Sequence, residues 1–273
     1  MDFLSEIIAH KRMRVANNLQ ITPLEDVRRL AEEWRAKAVP RALRSALAQS
    51  HGPNIIAEFK RASPSKGAIR AEADAREIAR EYEASGAIAV SVLTEESRFM
   101  GSLADLRDVR SAVRLPILRK DFIVDEYQVY ETASSRADAI LLIAAVLDDA
   151  TLLRLRSLAE DELGLDALVE VHTRDELDRA IACGAGLIGV NNRNLRTFEV
   201  SVDTSIELAR HLPSEVVSIT ESGLRTSADI MRLHAAGYRG FLIGESLMRE
   251  ESPGQALSRL IAETNKQQAL KQG

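Results

Sequence analysis

Several short apolar runs in this sequence end in a residue that can move a proton or hold an anion. In "NIIAEFK" Glu58 and Lys60 interrupt the run two residues apart, and "PILRK" ends in Lys120. "DALVEV" contains Glu170, and "GLIGVN" ends in Asn191 with Arg193 just beyond. "VVSIT" leads into Glu221, Ser222 and Gly223, and "GFLIG" ends in Gly244, followed by Glu245 and Ser246. Two lysines and three glutamates brought together can exchange protons and neutralise one another, which is the equipment of general acid–base chemistry. Glycines placed where a strand passes into a helix can turn bare backbone N–H groups toward an anion such as phosphate.

Those residues can meet only if the runs are strands that end at one place. From about residue 50 the chain alternates apolar runs with charged amphipathic stretches. The runs lie at 54–59, 87–94, 116–120, 138–144, 166–171, 186–191, 216–220 and 240–244. Between them come helical patterns such as "DAREIAREYEASGA" and "TSADIMRLHAAGY", several ending in glycine (Gly86, Gly184, Gly237), which suits a left-handed helix cap. Runs apolar throughout imply parallel strands covered on both faces, and eight strand–helix units over about 220 residues suit a closed (β/α)8 barrel. A doubly wound open sheet normally has fewer strands and a G-x-G-x-x-G turn, which "EFKRASPSKG" lacks.

In such a barrel the chemistry sits at the carboxyl ends of the strands. Strand alternation sends Glu58 and Lys60 into the barrel mouth and Phe59 outward to the helices. Ser91 and Thr94 stand at the end of the second strand. Rim salt bridges are the plain alternative for any one of these positions, but weaken as an account of five strand ends at once. The loops after strands seven and eight are the usual phosphate seat of this fold, so Ser222, Gly223, Gly244 and Glu245 are its candidates. Ser63 in "RASPSKG" could add a hydroxyl, while helix capping alone would account for the glycines without a ligand.

Composition limits the partners. The 273 residues are 45% hydrophobic and 28% charged, with a net charge of −5 and both signs interspersed, so neither nucleic acid nor a membrane surface is indicated. The N-terminal stretch has no long apolar run and reads as an amphipathic helix with Phe3, Leu4, Ile7 and Ile8 on one face. The single cysteine, Cys183, excludes an internal disulfide and fits a small buried residue in a reducing, cytoplasmic compartment. Residues 1–50 are expected to be a helical extension with at least two helices after Thr22-Pro23, residues 51–265 the barrel, and 266–273 a polar tail.

The segments "IIAEFKRASPSKG", "VLTEESRFMGSLADL", "PILRKDFIVDEYQVYE", "LVEVHTRDEL", "IGVNNRNLRTFEV", "ITESGLRT" and "FLIGESLM" resemble the indole-3-glycerol phosphate synthase family over essentially the whole chain. The resemblance implies a carboxy-lyase of tryptophan biosynthesis that closes the ring of 1-(2-carboxyphenylamino)-1-deoxyribulose 5-phosphate with loss of CO2 and water. It implies no metal and no organic cofactor. It assigns Lys120 as the acid of condensation, and Lys60 as partner of the anthranilate carboxylate and helper in dehydration. It assigns Glu170 as a base or shuttle in the later steps, and Glu58 as the residue that orients the lysines. Asn191 and Glu221 hold the sugar hydroxyls and reacting centre, Arg193 adds positive potential near the carboxylate, and Ser63, Ser222, Gly223 and Gly244 bind phosphate. Glu245 departs from members with a small residue there, so it is expected to turn its carboxylate away and offer only its main chain. Phe99, Met100, Phe122, Leu142 and Leu195 are candidates for a slot around the aromatic ring, or simply for packing. A sugar-phosphate isomerase and an inactive phosphometabolite-binding barrel are the rival readings. Association with other enzymes of the pathway stays open.

Overall fold

The computed structural model describes residues 3–50, 52–195 and 197–272. The eight barrel strands are β1 (Asn54–Phe59), β2 (Ala89–Leu93), β3 (Ile117–Lys120), β4 (Ala139–Ile143), β5 (Asp166–Val171), β6 (Leu187–Asn191), β7 (Val217–Glu221) and β8 (Gly240–Ile243). All pair in parallel with their sequence neighbours, and β1 closes the ring by pairing with β8. The register sets Glu58 beside Ser91, Leu93 beside Lys120, Ile143 beside Glu170 and Asn191 beside Glu221. The (β/α)8 barrel expected from the rhythm of the chain is the fold.

Local chemistry starts and stops the helices. Those outside the barrel are α4 (Ala75–Ala84), α5 (Leu103–Ala112), α6 (Glu126–Ser134), α7 (Asp149–Ser157), α8 (Arg174–Ala182), α9 (Asp203–Ala209), α10 (Ser227–Ala235) and α11 (Pro253–Gln272). Asp74, Ser102, Asp125, Asp148, Thr173 and Thr226 each accept a backbone N–H in the first turn of the helix that follows, satisfying donors the helix leaves free. At the other end Gly86, Gly184 and Gly237 take positive φ and turn the chain back toward the next strand. The segment 266–272, expected as a tail, continues α11 to Gln272.

Two apolar layers result. Residues of one strand parity, including Ile55, Phe59, Val90, Val92, Ile140, Leu142 and Val169, meet the helices. The other parity fills the barrel with Ile56, Leu118, Leu141, Leu168, Ile219 and Leu242. The N-terminal segment forms α1 (Phe3–Ile21), α2 (Leu24–Arg35) and α3 (Ala42–Gln49). Leu43 and Leu47 of α3 and Ile7 of α1 join the interior cluster, so both helices pack onto the barrel interior. Leu4 and Ile8 pack beside Ile7, while the side chain of Phe3 lies outside the described residues. Among the described residues no helix is long and apolar enough to cross a membrane.

Candidate active site

The strand register brings the charged strand ends to one mouth. A cavity of about 970 Å³ opens there, and all twelve residues assigned above to catalysis or to the polar groups of the substrate line it: Glu58, Lys60, Ser63, Lys120, Glu170, Asn191, Arg193, Glu221, Ser222, Gly223, Gly244 and Glu245.

Lys120 is the centre of the charged group. Its Nζ donates to Glu170 Oε2 at 2.7 Å and also to Glu221 Oε2. Burial favours the neutral amine, but the Glu170, Glu221 and Glu58 carboxylates overcome it and hold Lys120 protonated well above its ordinary range. Burial likewise disfavours the Glu170 carboxylate, yet Lys120, His172 and a hydrogen bond from Asn191 keep it ionised below the usual range. Glu221 goes the other way: burial and the nearby Glu170 and Glu58 outweigh Lys120 and push its carboxyl up to about 7. Its Oε1 is buried without a partner. Two carboxylates sharing one lysine thus have their affinities for a proton driven apart, the pattern of an acid–base site.

Glu58 and Lys60 form the second pair, Oε1 to Nζ at 2.7 Å, with Ser91 Oγ 3.5 Å from the other oxygen of Glu58. Gly244 has a reason to lack a side chain beyond any ligand: a Cβ there would lie 2.8 Å from the Cβ of Glu58 and against its carboxylate. Gly189 similarly leaves room for Glu221 Oε1, 2.9 Å from where its Cβ would stand.

The ends of β7 and β8 suit an anion. Ser222 and Gly223 follow β7 in two successive left-handed conformations, φ 68° and 79°. Asn192 holds this turn. Its Nδ2 donates to the Ser222 carbonyl and to Thr220 Oγ1, both at 3.1 Å, while its Oδ1 accepts from Ser205 N and Oγ. Ser63 Oγ is buried with no hydrogen-bond partner. Glu245 opens the short helix Glu245–Met248, and its carboxylate is drawn to Arg249 Nε at 3.2 Å and Arg193 Nη2 at 3.7 Å. Arg193 Nη1 also reaches Ser65 Oγ at 3.3 Å. Its charge therefore stands on the rim beside the β8 loop.

The apolar lining includes Leu93, Phe99, Phe122, Leu141, Ile143 and Leu195. Leu142 is a correction. It belongs to the outer layer against the helices, and its neighbours Leu141 and Ile143 take the inner face. Met100 is exposed and stands outside the cavity lining.

At the edge of the mouth lies a network that the sequence reading did not find. Asp121, next to Lys120, accepts from Thr94 Oγ1 at 2.7 Å, from Arg119 Nη2 at 3.0 Å and from Lys11 Nζ of α1 at 2.7 Å. The positive charges of Arg119 and Lys11 outweigh burial and hold the Asp121 carboxyl down at about 2. An acid after the strand-end lysine was visible, but a partner as distant in sequence as Lys11 left no local signal.

The model of the indole-3-glycerol phosphate synthase family matches residues 4–260. Indole-3-glycerol phosphate synthase of Carboxydothermus hydrogenoformans is 46% identical over 264 residues, covering 95% of this chain and 100% of that one. The enzyme of the same name from Burkholderia ambifaria is 45% identical over 260 residues, covering 95% and 99%. Among solved structures, KGPDC from Streptococcus mutans superposes with a TM-score of 0.62 at 13% identity, covering 78% of this chain and 98% of that one. Thiamine phosphate pyrophosphorylase from Pyrococcus furiosus gives 0.59 at 14%, covering 78% and 96%. These two likenesses show the barrel alone. The match along nearly the whole length and the identity to complete relatives make this chain a member of the indole-3-glycerol phosphate synthase family.

Proposed function

We propose that the protein converts 1-(2-carboxyphenylamino)-1-deoxyribulose 5-phosphate to indole-3-glycerol phosphate, with Lys120 as the acid of ring closure. The observation that carries the reading is a protonated lysine between two carboxylates, Glu170 and Glu221, in the same cavity as the Ser222–Gly223 turn. Ring closure needs an aromatic carbon to attack a ketone, a poor electrophile until its oxygen receives a proton. Lys120 supplies that proton at Nζ, and the carboxylates that keep it charged also fix where it points. Loss of CO2 restores electrons to the ring, and loss of water completes the indole.

Lys60, held by Glu58, pairs with the anthranilate carboxylate and assists departure of the hydroxyl. Glu170 takes the proton released late in the sequence, and Asn191 orients Glu170 and the sugar hydroxyls. Glu221, with its proton affinity near neutral, holds the reacting centre and can return a proton to Lys120. Ser63, Ser222, Gly223, Gly244 and the backbone of Glu245 seat the phosphate, and Arg193 adds positive potential at the rim. Phe99, Phe122 and Leu195 face the aromatic ring. The interspersed charges and single cysteine suit a reaction carried out in the cytoplasm.

Purified protein mixed with the substrate should develop indole fluorescence without added metal. Lys120→Met should abolish that signal, by about 10³-fold or more, while substrate still binds. Normal turnover in Lys120→Met would remove the assignment of the acid, and no product from the unaltered protein would remove the reaction.

A further inference from the structure

His172 stands two residues beyond Glu170 on the same side of the chain, and the proposed roles leave it unused. Its setting is built. Thr173 caps α8 by accepting Glu176 N at 3.2 Å. Glu176 Oε2 reaches back and accepts from His172 N at 2.7 Å and from Nδ1 at 3.1 Å. A carboxylate oxygen can only accept, so Nδ1 must carry a hydrogen. The other ring nitrogen, Nε2, lies 3.4 Å from Glu170 Oε1, buried and without a hydrogen-bond partner.

A neutral imidazole so held would turn its buried Nε2 lone pair on an ionised carboxylate. That arrangement is repulsive, and one proton relieves it. The proton can sit on Nε2, giving an imidazolium beside the carboxylate, or on Glu170, giving a carboxyl that donates to Nε2. We propose that His172 is a positioning residue for Glu170: the two side chains hold one proton between them, and the imidazole sets the charge that Glu170 presents to the substrate. This rests on the reading that Glu170 works at the reacting centre.

The charged groups acting on the imidazole are Glu170 on its own strand, Glu176 on α8 and Glu221 on β7. Lys120 of β3 occupies the far oxygen of Glu170. Burial pushes the imidazole down, but the three carboxylates outweigh it and the net direction is up. Because the sites interact, the apparent ionisations belong to the pair.

The test reads the pair with and without turnover. In full-length protein labelled with 15N-histidine, the His172 ring nitrogens should report hydrogen on Nδ1 throughout and titrate above the ordinary histidine midpoint. Glu170→Gln should lower that midpoint by about one pH unit or more. In turnover assays His172→Gln removes a positive charge beside Glu170. The acid limb of kcat should therefore move to higher pH by at least about half a unit, with kcat falling about tenfold and KM changing little. If His172→Gln does not fold, Glu176→Gln serves: its amide oxygen still accepts from His172 N and Nδ1, but a carboxylate that favours the charged imidazole is gone. That variant should show hydrogen kept on Nδ1, a lowered His172 midpoint and a limb displaced in the same direction.

A His172 midpoint unmoved by Glu170→Gln, or pH profiles that superimpose on the unaltered enzyme, would overturn the proposal. The NMR titration needs no substrate. Absence of product alongside a coupled pair would count against the proposed reaction only, and normal turnover with an uncoupled pair against this inference only.

Discussion

Glu58 occupies the space that a side chain on Gly244 would need. The two residues lie at the ends of neighbouring strands, β1 and β8, and a Cβ on Gly244 would stand 2.8 Å from the Cβ of Glu58. Glu58 in turn holds Lys60 at 2.7 Å. The glycine beside the anion seat therefore also fixes, through Glu58, the lysine at the end of the neighbouring strand.

Gly244→Ala should push Glu58 aside and carry Lys60 with it. Its φ of −132° lies outside the left-handed region that favours glycine, and the expected effect is one of space. Turnover is expected to fall about 10²-fold, the scale of a displacement near 1 Å at a reacting centre. Steady-state kinetics check this, and a variant with unchanged kcat would show that Glu58 can be moved without consequence.

Glu221 gives a pH dependence with a defined sign. Burial raises its carboxyl in the folded protein to about 7, above the ordinary value for glutamate. The folded state therefore holds the proton more tightly than the unfolded chain, and stability is lost as pH rises through about 7. Glu221→Gln removes that loss. Its advantage over the unaltered protein should be small near pH 5 and grow toward pH 8, by up to about 3 kcal/mol. Melting temperatures of the two proteins across this range decide it, and curves that stay parallel would contradict the assignment. Activity should fall in the same variant, separating stability from function.

Asn192 should matter to binding more than to chemistry. It ties the left-handed Ser222 to Thr220 and Ser205, so Asn192→Ala frees the turn and leaves the buried Ser205 N–H without its acceptor. A cost of about 1–3 kcal/mol is expected in stability. KM for the phosphorylated substrate should rise about tenfold, and inhibition by inorganic phosphate should weaken in parallel, with kcat changed less. An unchanged phosphate inhibition constant would place the anion elsewhere.

Lys11 couples the N-terminal helix to the acid. Lys11→Met leaves Asp121 with Arg119 and Thr94 but takes away the 2.7 Å ion pair that joins α1 to the residue after Lys120. The loss should cost about 2 kcal/mol or more and lower kcat several-fold without a matching change in KM. Thermal unfolding and kinetics on one preparation test both halves. Unchanged stability would mean that the Lys11–Asp121 pair does not help to hold α1.

The alternation of apolar runs with capped helices, and the polar residues at the run ends, were enough to read the barrel and its mouth. Both depend on short-range rules: strand parity puts Glu58 and Lys60 on one side, and caps such as Asp74 and Thr226 mark where helices begin. Parity failed where both faces are apolar. In "AILLI" nothing local separates Leu141, which faces the cavity, from Leu142, which faces the helices, and barrel closure makes that choice. Closure also decides that Glu170 and Glu221 share Lys120 from residues 50 and 101 positions away. The same holds for the grip of Lys11 on Asp121 and the lean of Arg193 toward Ser65 and Glu245. Charge and direction at each strand end are properties of the residue and the pleat, whereas proton affinity and partner depend on burial and on neighbours that only the folded ring brings into contact.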